Sequence, residues 1–338
     1  MKTIRCSAPG RCGIIGNPTD MYGGSVISCS IKYRAYVTIE PADQLEVVAA
    51  GSKVIITGPD DLKLSGDHCD VARAVLDYFR DGSLHCRISY ATDIPVRAGV
   101  AGSTALTVAI LYGLLCFKGV KHNRYYVAEL ARHIELNHLR VVCGYQDAYM
   151  CTFGGLNYMD FRGKQFYRDA ADELYATIEP LGGFVRELPF VLAHTGLTHS
   201  SDAVHKPLRE RWLEGDPSVR AAYVRIGQLA REGKKALLRE NWERLGRLMN
   251  QNHAIQRELG GSSSANERLI AVALEHGALA AKLAGAGGGG TIIALNLHPE
   301  EMIAALREAG SELVFYPEPC RGVCLDAQEE SPPSEGDQ

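Results

Sequence analysis

One stretch organises the chain: Ile94-Pro95-Val96-Arg97-Ala98-Gly99-Val100-Ala101-Gly102-Ser103-Thr104-Ala105-Leu106. Its composition predicts a strand, a glycine-rich loop and a helix, in that order. The strand is expected over residues 84–90, where apolar side chains alternate, and the helix over residues 104–117, which are apolar almost all round. Because a helix without a polar face is expected to be buried, this helix should lie inside the protein.

The loop between this strand and this helix has the properties of an anion site. Gly99, Ala101 and Gly102 are small enough to let backbone N–H groups approach a ligand closely. Ser103 stands where the helix begins, and the free N–H groups and positive dipole end at such a place favour anions. Its hydroxyl could cap the helix or contact a metal ion that phosphates hold. A tight turn that binds nothing is the alternative for this stretch taken alone.

Composition narrows the class of protein. The 338 residues suffice for a sizeable core and for two domains or lobes. The net charge of -4 argues against a nucleic-acid-binding surface, and no apolar run has membrane-spanning length or marks a signal peptide. Ten cysteines, mostly inside apolar runs, indicate free thiols in a reducing compartment. We therefore expect a cytoplasmic protein with neither a nucleic acid nor a membrane as partner.

Two acidic side chains stand out by their surroundings. Glu135 lies beside the apolar stripe of a helix predicted over residues 123–137, near its end, where the dipole disfavours a carboxylate. This position hints at a nearby cation, although a solvated glutamate is the simpler interpretation. Asp147 is the isolated acid of a semi-apolar run over residues 141–158, and on its own it is interpreted as a structural carboxylate.

The rest of the chain mixes strand and helix patterns. Strands are expected over 26–33, 35–40, 45–50, 53–57, 188–194, 291–297 and 312–316. Helices are expected over 70–79, 266–283 and 299–309, with two more between 217 and 251. Turn residues predict loops over 8–24 and over 282–290, and the second of these should lie close against a ligand or another backbone. Neither the P-loop motif nor the Rossmann glycine spacing occurs.

Three segments resemble, in the right order, three motifs of the GHMP kinase superfamily. The run from Pro95 to Ala105 resembles its phosphate-binding motif, residues 9–24 its N-terminal substrate motif, and residues 282–290 its third, glycine-rich motif. Residues 16–24, 146–147, 153–161, 201–216 and 249–252 together resemble sugar 1-kinases of the glucuronokinase type. Gly-x-Gln-Asp at 144–147, followed by Phe-Gly-Gly at 153–155, is also similar to manno-heptose phosphate kinases. The chain departs from the family at Ala101-Gly102 and at Thr104, where small residues replace other small residues.

The resemblance implies an α/β (α+β) fold with the two lobes of a GHMP kinase. The N-terminal, ATP-binding lobe would span residues 1–182 and resemble ribosomal protein S5 domain 2. The C-terminal lobe would span residues 183–328 and be ferredoxin-like. Residues 329–338 are polar, acidic and proline-containing, which predicts a disordered tail.

The resemblance also implies a chemistry: transfer of the γ-phosphoryl group of ATP to a sugar hydroxyl, with Mg²⁺ held by Ser103 and Glu135. Asp147 matches the candidate base and Arg11 the basic residue beside it. The ATP phosphates would lie over Pro95, Gly99, Val100, Ala101, Gly102, Ser103 and Thr104. The substrate would contact Arg11, Asn17, Asp20, Tyr22, Gly23, Gly24, Asp147, Gly285, Ala286 and Gly287.

The acceptor is expected to be a sugar or sugar acid, and the favoured one is glucuronate at its anomeric hydroxyl. Its carboxylate needs a cation, for which Arg11 and Arg97 are candidates. The alternatives are a manno-heptose phosphate, another sugar, an inositol or a mevalonate-like acid, or a family member that binds a metabolite without catalysis. The protein is expected to be a monomer or a homodimer.

Overall fold

The computed structural model describes residues 2–95, 98–164, 174–197, 202–285, 287 and 290–326. Within these ranges the strands are β1 (Ile4–Ile15), β2 (Ser25–Pro41), β3 (Leu45–Ala49), β4 (Ser52–Ile56), β5 (Cys86–Thr92), β6 (Leu156–Asp160), β7 (Thr177–Pro180), β8 (Phe190–His194), β9 (Ala280–Leu283), β10 (Thr291–Leu295), β11 (Leu313–Phe315) and β12 (Cys324–Leu325). The α-helices are α1 (Asp70–Phe79), α2 (Gly102–Phe117), α3 (Arg124–Asn137), α4 (Gln146–Phe153), α5 (Asp202–Leu213), α6 (Pro217–Leu238), α7 (Trp242–Glu258), α8 (Ser264–Glu275) and α9 (Glu300–Glu308).

The larger sheet has the strand order β12-β1-β2-β5-β3-β4; β6 pairs with the first five residues of β2, and β7 pairs with β6. Strand β3 is parallel to β5, and the other pairs are antiparallel. Two strands predicted over 26–33 and 35–40 form the single strand β2. The loop predicted over 8–24 is wrong up to Ile15, because β1 continues through it. Register shifts between Pro9 and Arg11 and between Gly13 and Ile15 let the strand pass its glycines and proline while still pairing with β2.

The smaller sheet has the antiparallel order β11-β8-β10-β9. Its strands bury both faces, since Val191 and Ile292 pack with α8 and α9 while Leu192 and Ile293 join the main core. The helix predicted over 266–283 is too long. Helix α8 ends at Glu275, and Gly277, at a left-handed φ of 84°, turns the chain into β9.

Helix α2 is the buried helix that the sequence predicts. It packs against β1, β2, α1, α3 and α4. Leu111, on its middle turn, is fully buried, as are most of its neighbours. Because α2 is surrounded by core, the loop that precedes it is fixed relative to both α3 and α4.

Several other predictions are confirmed within a few residues. The hairpin around Gly51-Ser52 forms as β3 and β4, and α1 has the predicted bounds. Strand β5 begins and ends two residues later than predicted. No element was predicted within residues 141–158, where α4 and β6 lie. All ten cysteines are free thiols, as expected. No helix in the described part of the chain has both the length and the apolar character that a membrane crossing requires.

Leu111→Ala should test how much the core around α2 stabilises the protein. Leu111 is fully buried, so its truncation leaves a cavity, and we expect the free energy of unfolding to fall by about 2–5 kcal/mol in denaturant titrations. Leu274→Ala on α8 is the matched control. That side chain is 41% exposed, and the change should stay within roughly 0.5 kcal/mol. Equal effects of the two variants would contradict this description of the core.

Candidate active site

A cavity of about 610 Å³ opens where four loops meet, next to the N-terminal ends of α2 and α4. Its described walls come from four parts of the chain and from a few further side chains: Arg11, Asn17, Pro18, Asp20, Ala98, Gly99, Ala101, Gly102, Ser103, Thr104, Val141, Val142, Cys143, Gly144, Gln146, Asp147, Gly285, Gly287 and Thr291, with Asp67, His68, Val71, Thr92, Ile94, Leu106 and Glu135. Sequence-predicted residues on these walls are Arg11, Asn17, Asp20, Gly99, Ala101, Gly102, Ser103, Thr104, Glu135, Asp147, Gly285 and Gly287. Residues from the three glycine-rich motifs therefore surround one space.

Arg11 and Asp147 form the central contact of this cavity. The Arg11 Nε donates to Asp147 Oδ1 at 2.8 Å, and Nη2 lies 2.6 Å from the same oxygen. Nη1 donates to the Gly99 carbonyl at 2.7 Å, so the guanidinium joins the acid to the glycine-rich loop. Burial opposes the guanidinium charge, but the attraction of Asp147 outweighs it and raises the pKa of Arg11 above its ordinary value.

The local fold explains why these two side chains meet. Arg11 follows the first register shift of β1, and such a bulge re-aims the side chain that follows it. Asp147 lies in the first turn of α4, where the positive end of the helix dipole favours a carboxylate. The Asp147 side chain remains 28% exposed, whereas Arg11 is 7% exposed. The Asp147 carboxylate can therefore be reached from the cavity, whereas the Arg11 guanidinium is shielded from water.

Asp20 is a second acid on the same wall. Its side chain is buried, and Oδ2 accepts a hydrogen bond from the Gln146 backbone N–H at 2.9 Å. Gly144 makes room for it, since a Cβ there would lie 1.9 Å from Asp20 Oδ2. The contact fixes the loop of Asp20 to the start of α4, one residue before Asp147.

Glu135 projects from α3 to the start of α2. The Thr104 hydroxyl lies 3.0 and 2.9 Å from its two carboxylate oxygens. The interpretation of Glu135 as a solvated residue is wrong, because only 2% of it is exposed. Burial raises the pKa of Glu135 to about 8; Thr104 and Ser103 favour the charged form, and the charge of Asp147 opposes it.

The start of α2 leaves backbone donors at the cavity. The first helical bond runs from Ala105 N–H to the Ala101 carbonyl, so the N–H groups of residues 102–104 have no partner within the helix. Ala101 is the N-cap residue, at a left-handed φ of 67°, and no side chain caps the helix. Helix capping by Ser103 is thus not the arrangement adopted. Ser103 is exposed instead, on the cavity wall.

The three motif loops are joined by backbone contacts. Arg11 N–H donates to the Val100 carbonyl at 3.0 Å, and Gly13 N–H to the Ala284 carbonyl at 2.8 Å. The Thr291 hydroxyl donates to the Ala98 carbonyl at 2.8 Å. A Cβ at Gly285 would lie 2.6 Å from the carbonyl oxygen of Gly99, so this crossing of two loops requires glycine.

Some predicted site residues lie away from the cavity wall as the described residues define it. Tyr22 stacks on Tyr223 with ring centroids 4.2 Å apart, and it also contacts Trp212. Gly23 ends the short helix Asp20–Tyr22, and the Gly24 carbonyl accepts from the Phe161 N–H. Among the remaining predicted residues, Pro95 accepts a backbone hydrogen bond from Ala98, Val100 is buried behind the loop, and Ala286 and Arg97 lie outside the described residues.

Several residues that shape the site make contacts that the sequence does not predict. Thr104 was predicted only as a phosphate contact, although its hydroxyl also holds Glu135. Val71, Ile94 and Leu106 form an apolar end of the cavity that only the folded chain assembles. Lys282, at the head of the third motif, is fully buried on β9 and bonds to Asn17.

Comparison with known proteins gives these loops a family. The family model of the GHMP kinases N terminal domain matches residues 69–155, and that of the GHMP kinases C terminal matches residues 234–312. The galactokinase galactose-binding signature matches residues 2–41, which include Arg11, Asn17 and Asp20.

Whole-chain similarities agree. The chain is 31% identical to glucuronokinase 1 of Arabidopsis thaliana over 303 residues, which are 82% of this chain and 81% of that protein. It is 28% identical to the mevalonate kinase of Pyrococcus horikoshii over 332 residues, 92% of this chain and 94% of the other. The structure of Lactococcus lactis galactokinase complexed with galactose has the same fold, with a TM-score of 0.77 at 18% identity, covering 96% of this chain and 95% of that one.

These matches confirm the resemblance that the three motifs indicated, and they confirm the mixed α/β fold class. The chain belongs to the GHMP kinase family and is an ATP-dependent phosphotransferase that acts on an alcohol group.

Proposed function

We propose that this protein transfers the γ-phosphoryl group of ATP to the anomeric hydroxyl of glucuronate or a closely related sugar. The observation that carries the proposal is the Arg11–Asp147 pair: Arg11 also bonds the glycine-rich loop at Gly99, and Asp20 bonds the residue before Asp147. The 31% sequence identity to glucuronokinase 1 of Arabidopsis thaliana, over 82% of this chain, supports the choice of sugar.

Asp147 is the residue suited to take the proton of the acceptor hydroxyl. It carries a reachable carboxylate whose geometry is fixed by two bonds from Arg11. As the phosphoryl group arrives, the hydroxyl proton passes to Asp147, and the Arg11 guanidinium holds the carboxylate in place and offsets negative charge. Most of the rate in phosphoryl transfer comes from such positioning and charge neutralisation.

The N-terminus of α2 suits the phosphates of ATP. Residues 102–104 line the cavity, their N–H groups have no partner within the helix, and the helix dipole adds attraction for anions. The apolar end formed by Val71, Ile94 and Leu106 suits the flat face of the adenine base.

A magnesium ion fits the same end of the cavity. Mg²⁺ in nucleotide sites is usually held by one or two protein oxygens together with the phosphates. Ser103 and Glu135 would supply protein oxygens, and the buried carboxylate of Glu135 would be relieved by a cation. When bound, Mg²⁺ supplies charge neutralisation at the phosphates.

Asp20 is placed to accept hydrogen bonds from sugar hydroxyls, because it is a buried carboxylate on the wall that carries Asp147. Arg97 or Arg11 would pair with the carboxylate of a uronate. A mevalonate-like acid is the second candidate acceptor, favoured by 28% identity to a mevalonate kinase over nearly the whole chain. A manno-heptose phosphate, another sugar or an inositol are further candidates.

The organisation of the chain follows as part of the proposal. We place an ATP-binding lobe at residues 1–182 around the larger sheet and a second lobe at 183–328 around the smaller sheet. The protein would act in the cytoplasm as a monomer or homodimer.

Asp147→Asn should lower kcat by about 10² to 10⁴-fold while the Kd for ATP stays within about twofold, because the amide keeps the shape but cannot take a proton. Coupled ADP release and a nucleotide-binding titration measure the two quantities. Asp60→Asn, a change at an exposed carboxylate 91% accessible, is the matched control and should leave both unchanged. Near-normal turnover of Asp147→Asn would show that another group is the base.

The acceptor is identified by ADP release with Mg²⁺ and ATP across glucuronate, galactose, manno-heptose phosphates, inositols and mevalonate. We expect glucuronate to give the highest kcat/KM and ³¹P NMR to place the phosphate on the anomeric oxygen. A single strong response to mevalonate would replace the sugar by the acid. No response at all, with ATP still bound, would indicate a metabolite-binding protein.

Glu135 gives a pH-dependent prediction for the protein without divalent cations. Its pKa is about 8 in the folded protein and ordinarily 4.5, so the folded state keeps a proton that the unfolded state has lost between these values. The free energy of unfolding should therefore decrease as pH rises from 4.5 to 8, by up to roughly 4 kcal/mol relative to Glu135→Gln. Parallel pH profiles of the two proteins would mean that Glu135 is ionised throughout.

A further inference from the structure

We infer that Lys282 is a positioning residue for the acceptor. Its buried amine fixes the side chain of Asn17 and so holds the loop between β1 and β2 (residues 16–24, here the acceptor loop) against the third glycine-rich loop. The inference deepens the proposed function, because it concerns the loop expected to bind the sugar. Lys282 is fully buried on β9, and none of the roles assigned above to the site uses it.

The contacts of Lys282 converge on one amide. Its Nζ donates to Asn17 Oδ1 at 2.7 Å and also to the Leu283 carbonyl. The Asn17 Nδ2 in turn donates to the carbonyls of Leu283, at 3.3 Å, and Gly285, at 2.8 Å. The amide of Asn17 is therefore oriented at both ends, and its oxygen can only face the amine.

The backbone of the acceptor loop is held from the other side by α7. Asn252 Oδ1 accepts from the Gly16 N–H at 2.8 Å, and Asn252 Nδ2 donates to the Asn17 carbonyl at 3.3 Å. Lys282 thus hydrogen-bonds the side chain of Asn17, and Asn252 hydrogen-bonds its main chain. Asn17, Asp20 and Gly285 all line the cavity. Loss of the hydrogen bonds that hold Asn17 would therefore change the space available to the acceptor.

The number of hydrogen-bond partners suits a neutral amine. A neutral amine has two hydrogens and an ammonium three, and among the described residues Lys282 has two acceptors. Burial lowers the pKa of Lys282 to about 7, Cys12 opposes this shift, and the positive charge of Arg11 adds to it.

The charged and titratable groups near Lys282 lie on β1 and on α7. Arg11 and Cys12 lie on β1, and His253 lies on α7, where it pairs with Glu267 of α8 at 2.9 Å. No carboxylate contacts the amine in the described part of the chain. A neutral Lys282 amine does not compete with Arg11 for the Asp147 carboxylate.

The first test is steady-state kinetics of Lys282→Met, which keeps the length of the side chain and removes its hydrogen bonds. The KM for the acceptor should rise about tenfold, the loss expected for one buried hydrogen bond. The KM for ATP should stay within about twofold and kcat within about threefold. Lys235→Met, at an exposed lysine of α6, is the matched control and should change none of them.

A double-mutant cycle with Asn17→Ala distinguishes an effect of Lys282 that acts through Asn17 from a general loss of structure. If Lys282 acts through Asn17, the double variant should raise the acceptor KM no more than the worse single variant does. Additive effects, an unchanged acceptor KM, or equal increases in both KM values would each overturn the inference. Lys282→Gln, which retains one donor, should give an intermediate acceptor KM and replaces the methionine variant if that one does not fold.

A readout without substrate keeps this inference separate from the proposed function. Since the folded pKa of Lys282 is about 7 and the ordinary value is 10.5, the penalty for burying the amine is full below pH 7 and is relieved as pH rises toward 10.5. The Tm of the wild type should therefore rise relative to Lys282→Met between pH 7 and 9.5. A constant difference would show that the amine is not held neutral, even if no acceptor for the kinase has been found.

Discussion

The ion pair between Arg11 and Asp147 is the contact on which the site depends. A buried guanidinium is tolerated only because a carboxylate and a carbonyl take its donors, and these come from α4 and from the glycine-rich loop. Three separate parts of the chain must therefore be in register before this charge can be buried. The hydrogen bonds between the loops and the packing of α2 serve that requirement.

Local irregularities supply the required geometry. The two register shifts of β1 would weaken an ordinary strand, yet they bring Arg11 to the cavity. Ala101 holds a left-handed conformation at the start of α2, whose first residues line the same cavity. The regular elements around them, α2 above all, are packed so tightly that these unfavourable conformations are maintained.

The sequence predicted most of this arrangement where the signal is local. The buried α2, the hairpin of β3 and β4, and the anion-binding character of the loop at Gly99 follow from periodicity and small residues. The strand β1 was interpreted as a loop because glycines and a proline mask strand character that pairing with β2 restores. The burial of Glu135 and the contacts of Lys282 depend on partners 31 and 265 positions away, which no local pattern encodes.

The last described strand carries a consequence for synthesis on the ribosome. Strand β12 pairs with β1, so β1 lies between β2 and a strand that follows it by more than 300 residues. Until residues 324–325 emerge, β1 is an open sheet edge, and unpaired edges invite association with other chains. The nascent chain must therefore carry this exposed edge at Cys6 and Ser7 until residues 324–325 have been made, more than 300 positions later.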